Sequence, residues 1–241
     1  MSTYRELVYL VLDELKGTSD DFTYTEEHIM FLLSNYRAFL LKQKYNDIKK
    51  QIPESNYQTL CLDLIEVPSI CGEICEGGTY LRSSIKIPFL IQIGTPRVYP
   101  TDYYQGDITY VSRDRMKYIG YNKYLKNIIY CSIGPDGYLY FKSANPQFLY
   151  LKKVRFTGIF QDSKEASKYQ CSEENNVCDI MDNDFPIEDA LVPPLIELVV
   201  KELSNATYDS LIRKQTMETN PRVDETGIFR VCEASLMRVK M

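Results

Sequence analysis

The chain of 241 residues contains a single histidine and no tryptophan. His28 lies in the run Glu26-Glu27-His28-Ile29, at the predicted start of a helix. A serine or cysteine nucleophile normally needs a base beside it, whereas a surface histidine near a helix start needs no catalytic explanation. The composition therefore argues against a histidine-dependent hydrolase.

Long apolar runs are also missing. The six-residue run Leu7–Leu12 is flanked by Arg5, Glu6, Asp13 and Glu14, whereas a membrane-spanning helix needs about 18 apolar residues. The N-terminal residues do not show the charged, apolar and small-residue regions of a signal peptide. We therefore expect a protein that has no membrane partner and is not exported by a cleaved leader.

The motifs of nucleotide and metal sites are absent as well. Gly77-Gly78 and Gly134-Pro135-Asp136-Gly137 lack the lysine and the strand–helix context of a phosphate-binding loop. The acidic segment 161–184 lacks the spacing and the glycine of an EF-hand, which favours a flexible connector over a calcium site. We expect neither a cofactor nor a metal.

Seven cysteines lie at positions 61, 71, 75, 131, 171, 178 and 232. The spacings of Cys71–Cys75 and Cys171–Cys178 differ from the tight pairs of a zinc ribbon, and His28 is distant in sequence. The pattern predicts unpaired structural thiols in a reducing compartment.

The net charge of −5 is unevenly distributed. Residues 57–160 carry 12 basic and 8 acidic side chains, whereas residues 161–241 carry 9 basic and 16 acidic ones. A protein that binds nucleic acid through electrostatic attraction is normally basic overall or along one face. The charge argues against DNA binding as the main function, but it does not exclude a locally positive surface.

Helical periodicity marks the first fifty residues. Gly17 is the expected C-cap of a first helix. Thr25 can cap a second helix, with Tyr24 stapled onto Ile29, and this helix must stop before Pro53. The predicted buried faces are Tyr4, Leu7, Val8, Val11, Leu12 and Leu15 in the first helix and Ile29, Leu32, Leu33, Tyr36, Phe39 and Leu40 in the second.

A third helix is predicted to begin at Pro193-Pro194, because proline fits a first helical turn, where its missing N–H would be unpaired anyway. Glu197 and Lys201 fall on its solvent side, and the apolar stripe is expected to pack on the first fifty residues. A stripe that carries no catalytic side chain indicates a role in assembly rather than in catalysis. It comprises Leu195, Leu198, Val199 and Leu203, of which Leu195, Leu198 and Val199 are candidate partner-interface residues.

From Tyr57 to Phe160 the pattern changes to short alternating runs broken by glycine and proline, which is typical of β structure. Pro135-Asp136-Gly137 supplies turn chemistry between the runs 128–133 and 138–142, which predicts a hairpin. The other candidate strands are Thr59–Val67, Ser84–Ile93, Asp107–Ser112 and Phe148–Phe160.

These patterns predict an α+β fold with four parts. A helical layer, residues 1–56 plus 185–217, carries a large inserted antiparallel β domain, residues 57–160. Residues 161–184 are expected to form a solvated acidic loop. The tail 218–241 is expected to dock, because it is apolar and undocked termini are usually polar. Its candidate contact residues, on the body or on a neighbour, are Ile228, Phe229, Val231, Leu236 and Met237.

Basic and aromatic side chains interleave between Arg113 and Lys126. Such a mixture can bind single-stranded nucleic acid or sugars by stacking and charge. Eleven of the 20 tyrosines lie between Tyr99 and Tyr150, which is equally typical of paired strands and protein interfaces. The candidate lumen- or ligand-facing residues are Arg113, Arg115, Lys117, Lys123 and Lys126.

Three carboxylates of the β region, Asp102, Asp107 and Asp114, could converge as a glycoside hydrolase requires. Nothing specific in the sequence favours this arrangement. A hydrolase that uses these carboxylates is kept as one hypothesis.

Three runs resemble virion structural proteins of crAss-like phages: residues 4–16, residues 31–42 and the helix that begins at Pro193-Pro194. The likeness extends through Tyr104-Gln105-Gly106-Asp107 and through residues 131–136. The resemblance implies a ring protein or head-to-tail connector, similar to the adaptor beneath the portal of short-tailed phages, as a ring of roughly twelve copies.

The resemblance also implies partners and a location. The expected partners are other copies of the chain, the portal protein and other ring or tail proteins, and DNA would pass through the ring without being read. The protein would be a non-enzymatic part of the virion, at the junction of capsid vertex and tail, after assembly in the bacterial host cytoplasm. The alternative is a carbohydrate- or receptor-binding tail component, because the β region is rich in tyrosine.

Overall fold

The first two helices form where their periodicity predicts them. In this computed structural model, α1 comprises Tyr4–Lys16 and α2 comprises Glu26–Lys44. Helix α1 buries the predicted stripe, although Leu12 is only half-buried. Gly17 lies outside the described residues, which are 2–16, 24–47, 50–68, 79–101, 108–116, 118–119, 123–171 and 179–219.

Helix α2 buries a different face from the predicted one. Phe39 is 55% exposed and Leu32 and Tyr36 are only partly buried, so the predicted burial of Phe39 is wrong. Apolar side chains occur on two faces of α2, and the three- and four-residue repeat fits either of them. The buried residues are Ile29, Met30, Leu33, Ser34, Arg37, Ala38, Leu40 and Leu41.

The start of α2 also differs in detail from the prediction. Thr25 occupies the N-cap position, but its side chain makes no capping hydrogen bond. Its backbone carbonyl instead accepts from the amides of His28 and Ile29, at 3.0 and 3.2 Å. The ring of Tyr24 stacks on the imidazole of His28 with centroids 6.0 Å apart.

A mixed sheet follows the helices. Its seven strands have the order β3-β7-β1-β2-β6-β5-β4, and the edge strands β3 and β4 contact each other, so the sheet is nearly closed. The α+β class is confirmed, whereas the expected antiparallel sheet is corrected by one parallel pair, β4 with β5. The strands are β1 Gln58–Pro68, β2 Thr79–Ser83, β3 Arg97–Pro100, β4 Ile108–Tyr110, β5 Ile129–Ile133, β6 Leu139–Lys142 and β7 Lys153–Gly158.

Alternation along the strands sets the core. In β7, Val154 and Phe156 are buried while Lys153 and Arg155 are exposed, because successive side chains of a strand point to opposite faces. Strand β1 pairs with β7 over six positions and with β2 over five more. One cluster of buried residues results, and it includes Leu60, Leu62, Leu81, Phe141, Val154, Phe156 and Phe160.

The predicted hairpin is confirmed, and one predicted strand is wrong. Strands β5 and β6 pair from Tyr130 opposite Lys142 to Ile133 opposite Leu139. The segment Ser84–Ile93 is not a strand, since β2 ends at Ser83 and only an isolated bridge joins Leu90 to Phe160. Pro88 lies in the middle of this segment, and a proline cannot donate to a sheet ladder.

The hairpin turn supplies a first testable prediction. Gly137 has φ +82°, in the left-handed region. Replacement by valine is expected to lower the free energy of unfolding by about 1–2 kcal/mol, because β-branched residues are strained there. Asparagine at the same position should cost less. Urea unfolding checks this, with Ala144→Val at an exposed bend as the control. Equal losses in Gly137→Val and Ala144→Val would contradict the conformational explanation.

Three further helices complete the described chain. The short helix α3 spans Arg113–Met116, α4 spans Ser163–Ser167 and α5 spans Val192–Thr219. Helix α4 lies within the stretch 161–184 that is predicted to be a loop, and residues 172–178 of that stretch are outside the described residues. The side chain of Asp162 caps α4 by accepting from the amides of Lys164 and Glu165.

Helix α5 begins at Val192, as Pro193-Pro194 predicts. Leu195, Val199 and Leu203 are buried and Leu198 is partly buried, while Glu197 and Lys201 are exposed, so three of the four residues of the predicted stripe are buried as expected. The chain divides into two compact units, Met1–Val199 and Val200–Met241. The four-part division made from the sequence stays a prediction. None of the helices within the described residues is long and apolar enough to cross a membrane.

A disulfide joins Cys61 to Cys171. The prediction of unpaired thiols is therefore wrong for these two residues. The bond links β1 to the segment after α4, where the amide of Cys61 also donates to the carbonyl of Tyr169 at 2.9 Å. Cys131 is free and buried, and the other cysteines lie outside the described residues.

A fully buried arginine ties α2 to three backbone segments outside the strands. The Arg37 guanidinium donates to the carbonyl oxygens of Pro186 at 2.6 Å, Phe160 at 2.7 Å and Asn56 at 3.1 Å. Burial lowers the pKa of Arg37 to about 10, which leaves the side chain charged at neutral pH. The residue therefore fixes α2 against three separate segments of the backbone.

Candidate interaction surfaces

An apolar surface lies on the side of α2 that the fold leaves uncovered. Phe31 is 62% exposed, Phe39 is half-exposed and Phe89, from the segment after β2, is 66% exposed. Phe31 and Phe89 line a groove of about 320 Å³. We call Phe31, Phe39, Phe89 and this groove the α2 face. The groove is lined by Glu27, Met30, Phe31, Ser34, Asn35, Phe89, Gln161, Asp162 and Lys164.

Backbone hydrogen bonds hold Phe89 against the end of β7. The amide of Gln161 donates to the carbonyl of Phe89 at 2.9 Å, and the amide of Ile91 donates to the carbonyl of Ile159 at 2.8 Å. Because Arg37 also binds the carbonyl of Phe160, helix and segment are fixed to the same stretch of chain. The hydrogen bonds of the fold therefore hold the groove in place.

The rim of the groove is acidic. Glu27 and Asp162 line it, and Glu26 and Glu165 are exposed neighbours in sequence on α2 and α4. Lys164 is the basic side chain among the lining residues. The α2 face is therefore an apolar surface bordered by carboxylates.

A second surface lies at the other end of β7. Lys152, Lys153 and Arg155 are exposed there, and Tyr99 is opposite Arg155 in the ladder between β3 and β7. Tyr150 is 80% exposed. Asp63 lies beside Lys153, with Nζ and Oδ1 3.5 Å apart. We call Tyr99, Tyr150, Lys152, Lys153 and Arg155 the β7 face, which is basic and aromatic.

The basic residues predicted to be lumen- or ligand-facing fall on short elements. Arg113 and Arg115 lie on α3, half-exposed and exposed, and Lys126 is exposed. The segment around Lys126 contacts the chain after β6, since the hydroxyl of Ser143 donates to its carbonyl at 3.3 Å. Lys117 and the side chain of Lys123 lie outside the described residues.

The residues predicted to contact a partner are only partly available. Leu195 and Val199 are fully buried, so they offer no surface to a partner in this structure, while Leu198 is partly exposed. For Leu198 and the tail, partner contact stays a prediction. The predicted tail residues, which lie outside the described part of the chain, are Ile228, Phe229, Val231, Leu236 and Met237.

The candidate catalytic groups do not form a site within the described residues. His28 is exposed, and Asp114 lies exposed on α3, while Asp102 and Asp107 fall outside the description. Burial raises the pKa of the Cys131 thiol, which disfavours the reactive thiolate. In the described ranges, no three residues among His, Cys, Asp and Glu are grouped so that they could hold a metal ion.

Comparison with known proteins places these surfaces in a family. The model of the family described as phage tail ring protein 2 matches residues 6–220. The chain belongs to this family. Ring protein 2 of Bacteroides phage crAss001 is 68% identical over 207 residues, which cover 86% of this chain and 92% of that protein. The resemblance to virion structural proteins of crAss-like phages is confirmed.

Membership in the phage tail ring protein 2 family gives the two faces a context. A ring protein is a structural component of the phage, and identical copies close into a ring by repeating one contact between two different surfaces. Neither face is predicted by the sequence patterns. The signal for the α2 face was present in the second apolar side of that helix, whereas Phe89 carried no recognisable pattern.

Proposed function

We propose that this ring protein is a head-to-tail connector that lies beneath the portal and joins the capsid vertex to the tail. The observation that supports this best is the exposed α2 face in a chain of a ring family. Exposed aromatic side chains beside an apolar groove are typical of interaction sites. The function is geometric, without a catalytic step.

The mechanism is the closure of a ring. Each copy repeats one head-to-tail contact until the rotation closes, and twelve-fold closure would match a portal of roughly twelve subunits. DNA passes through the open centre without being read. The net charge of −5 is consistent with this, because it does not favour tight binding to phosphates. Arg113, Arg115 and Lys126 remain candidates for the lumen.

Imaging with the portal tests the proposal directly. The purified protein and the purified portal are mixed and examined by negative-stain microscopy, and each is also imaged alone. We expect a ring stacked on the same axis as the portal. Rings that bind a tail component and never the portal would contradict the connector role.

The C-terminal tail supplies a second prediction. Removal of residues 221–241 is expected to leave Met1–Val199 folded and to reduce incorporation into particles about tenfold, if the tail docks on a neighbour. Circular dichroism and quantitative blotting of purified particles measure the two effects.

A full-length control separates loss of contact from loss of length. Ile228, Phe229, Val231, Leu236 and Met237 are all replaced by serine. This variant should incorporate as poorly as the truncated one. Normal incorporation of both variants would show that the tail is dispensable.

A receptor- or carbohydrate-binding role in the tail is the second candidate. Tyr118 is 78% and Tyr124 is 82% exposed, and Tyr150 is similarly exposed. Exposed aromatic rings of this kind stack on sugars. A glycan array tests it, and selective binding by the monomer that is lost in Tyr118→Ala or Tyr124→Ala would favour this function over a connector.

A further inference from the structure

We propose that consecutive copies of this protein are joined by the α2 face of one copy packing on the β7 face of the next. The inference rests on the proposed function, because it requires a ring of identical copies. It names the two surfaces that form the repeated contact.

The α2 face supplies the apolar side of the contact. Helix α2 already buries one apolar face within its own chain, yet Phe31 and Phe39 lie on the opposite side and are more than half exposed. Large apolar side chains that stay exposed on a folded chain mark candidate interaction sites. Phe89 extends the exposed surface beyond the helix. This face therefore lacks a cover that a second copy can supply.

The two faces lie at different positions along β7. The groove ends at Gln161 and Asp162, just after the end of β7, whereas Lys152 and Lys153 lie at its beginning. At about 3.3 Å per residue, the six residues of β7 span about 20 Å, so Lys152 and Lys153 lie at the end of the strand away from the groove, while Arg155 lies near its middle. The two surfaces are therefore distinct, as a head-to-tail contact between identical copies requires.

The α2 face and the β7 face carry complementary charges. Glu27 and Asp162 line the groove of the α2 face together with one basic side chain, Lys164, whereas the β7 face presents Lys152 and Arg155. Opposite signs across an interface guide association and fix its register. Tyr99 and Tyr150 supply aromatic rings opposite the phenylalanines, and aromatic residues are enriched in interface cores.

Another exposed apolar pair fits less well. Tyr9 and Leu10 on α1 are about half exposed, but Glu6 and Asp13 are exposed beside them. Packing this surface on the α2 face would place carboxylates against carboxylates. The charges therefore favour the β7 face over the α1 surface as the partner of the α2 face.

A charge-reversal experiment tests the pairing. One variant carries Glu26→Lys and Glu27→Lys, and the other carries Lys152→Glu and Arg155→Glu. All four residues are exposed, and of these four only Glu27 lines the groove. The full-length proteins are studied, with and without purified portal, by native mass spectrometry and sedimentation velocity.

Each variant alone is expected to need at least about ten times more protein than wild type to form rings, because like charges would face each other. An equimolar mixture should recover wild-type assembly in a ring where the two variants alternate. The basic α2 face of one variant then meets the acidic β7 face of the other, and the two unchanged faces also meet with opposite charges. Raising the salt concentration should reduce the defect of each variant alone.

Control variants separate the contact from general effects of charge and folding. Asp13→Lys combined with Glu202→Lys changes two exposed carboxylates outside both faces and should assemble normally. Phe31→Ser combined with Phe39→Ser alters exposed rings only, so the protein should stay folded by circular dichroism but remain monomeric.

The outcomes distinguish the two proposals. Normal rings from both charge-reversed variants would overturn the pairing and leave the connector role intact. Failure of the mixture to recover assembly would show that the β7 face is not the partner of the α2 face. A wild-type protein that forms no ring, with or without the portal, would overturn the proposed function and the pairing with it.

Discussion

Replacing Arg37 with methionine is expected to lower the free energy of unfolding by about 4 kcal/mol. The guanidinium is completely buried and donates to the backbone carbonyls of Asn56, Phe160 and Pro186. Methionine has a similar length but no donor, so three buried acceptors lose their partner. Urea unfolding followed by circular dichroism measures the change.

Lysine at the same position distinguishes charge from geometry. An ammonium group keeps the positive charge but cannot reach three diverging carbonyls as a planar guanidinium does. We expect Arg37→Lys to recover less than half of the loss. The control is Lys42→Met, an exposed change on the same helix, which should stay within about 0.5 kcal/mol of wild type.

The origin of the Arg37 effect can also be checked with pH. Since burial lowers the pKa of Arg37 to about 10 from 12.5, the unfolded chain binds more protons than the folded chain between these values. The contribution of this group therefore raises stability as pH increases through that window. A stability difference between wild type and Arg37→Met that does not change between pH 9 and pH 11 would contradict this linkage.

Reduction of the Cys61–Cys171 disulfide is expected to lower the free energy of unfolding by about 3 kcal/mol. The bond closes a loop with a sequence separation of 110 residues, so its loss releases much conformational freedom in the unfolded chain. Urea titrations with and without a reductant measure the effect.

The control for the disulfide is the double variant Cys61→Ala with Cys171→Ala. It should unfold at the same urea concentration with and without reductant, close to that of the reduced wild type. Thiol alkylation followed by peptide mass spectrometry provides an independent measurement. Alkylation of both Cys61 and Cys171 in the untreated native protein would show that the bond is absent.

The helices could be predicted because each has a clear apolar repeat or a clear start. The stripe of α1 and the proline-marked beginning of α5 both lie where expected. Helix α2 shows the limit of that reasoning. Its repeat fits two faces, and only packing against the sheet decides that Leu33 and Leu41 are buried while Phe39 is not.

Arg37 illustrates a signal that was present but overlooked. It lies four residues after Leu33 and four before Leu41, so helical spacing places it on the buried side. A charged residue is rarely expected there, because an unpaired buried charge is costly. Three carbonyls from distant segments satisfy it, and no local pattern could have indicated them.

The strands and the disulfide depended on long-range contacts. Strand β3 has only four residues, follows Pro96 and ends at Pro100, which the sequence pattern presents as a loop. Cys61 and Cys171 become neighbours because β1 bridges to the segment after α4, at Leu60 and Gln170. Spacing along the chain contains no information about that pairing. The α2 face could likewise be recognised only after the fold had covered the other side of the helix.

The hydrogen bonds of Arg37 have a mechanical consequence. The carbonyl of Phe160 that it holds lies two residues from Asp162, on the continuation of β7. The guanidinium therefore couples α2 directly to the segment that follows the strand. A force that acts on α2 would thus move the helix and this segment together as one body.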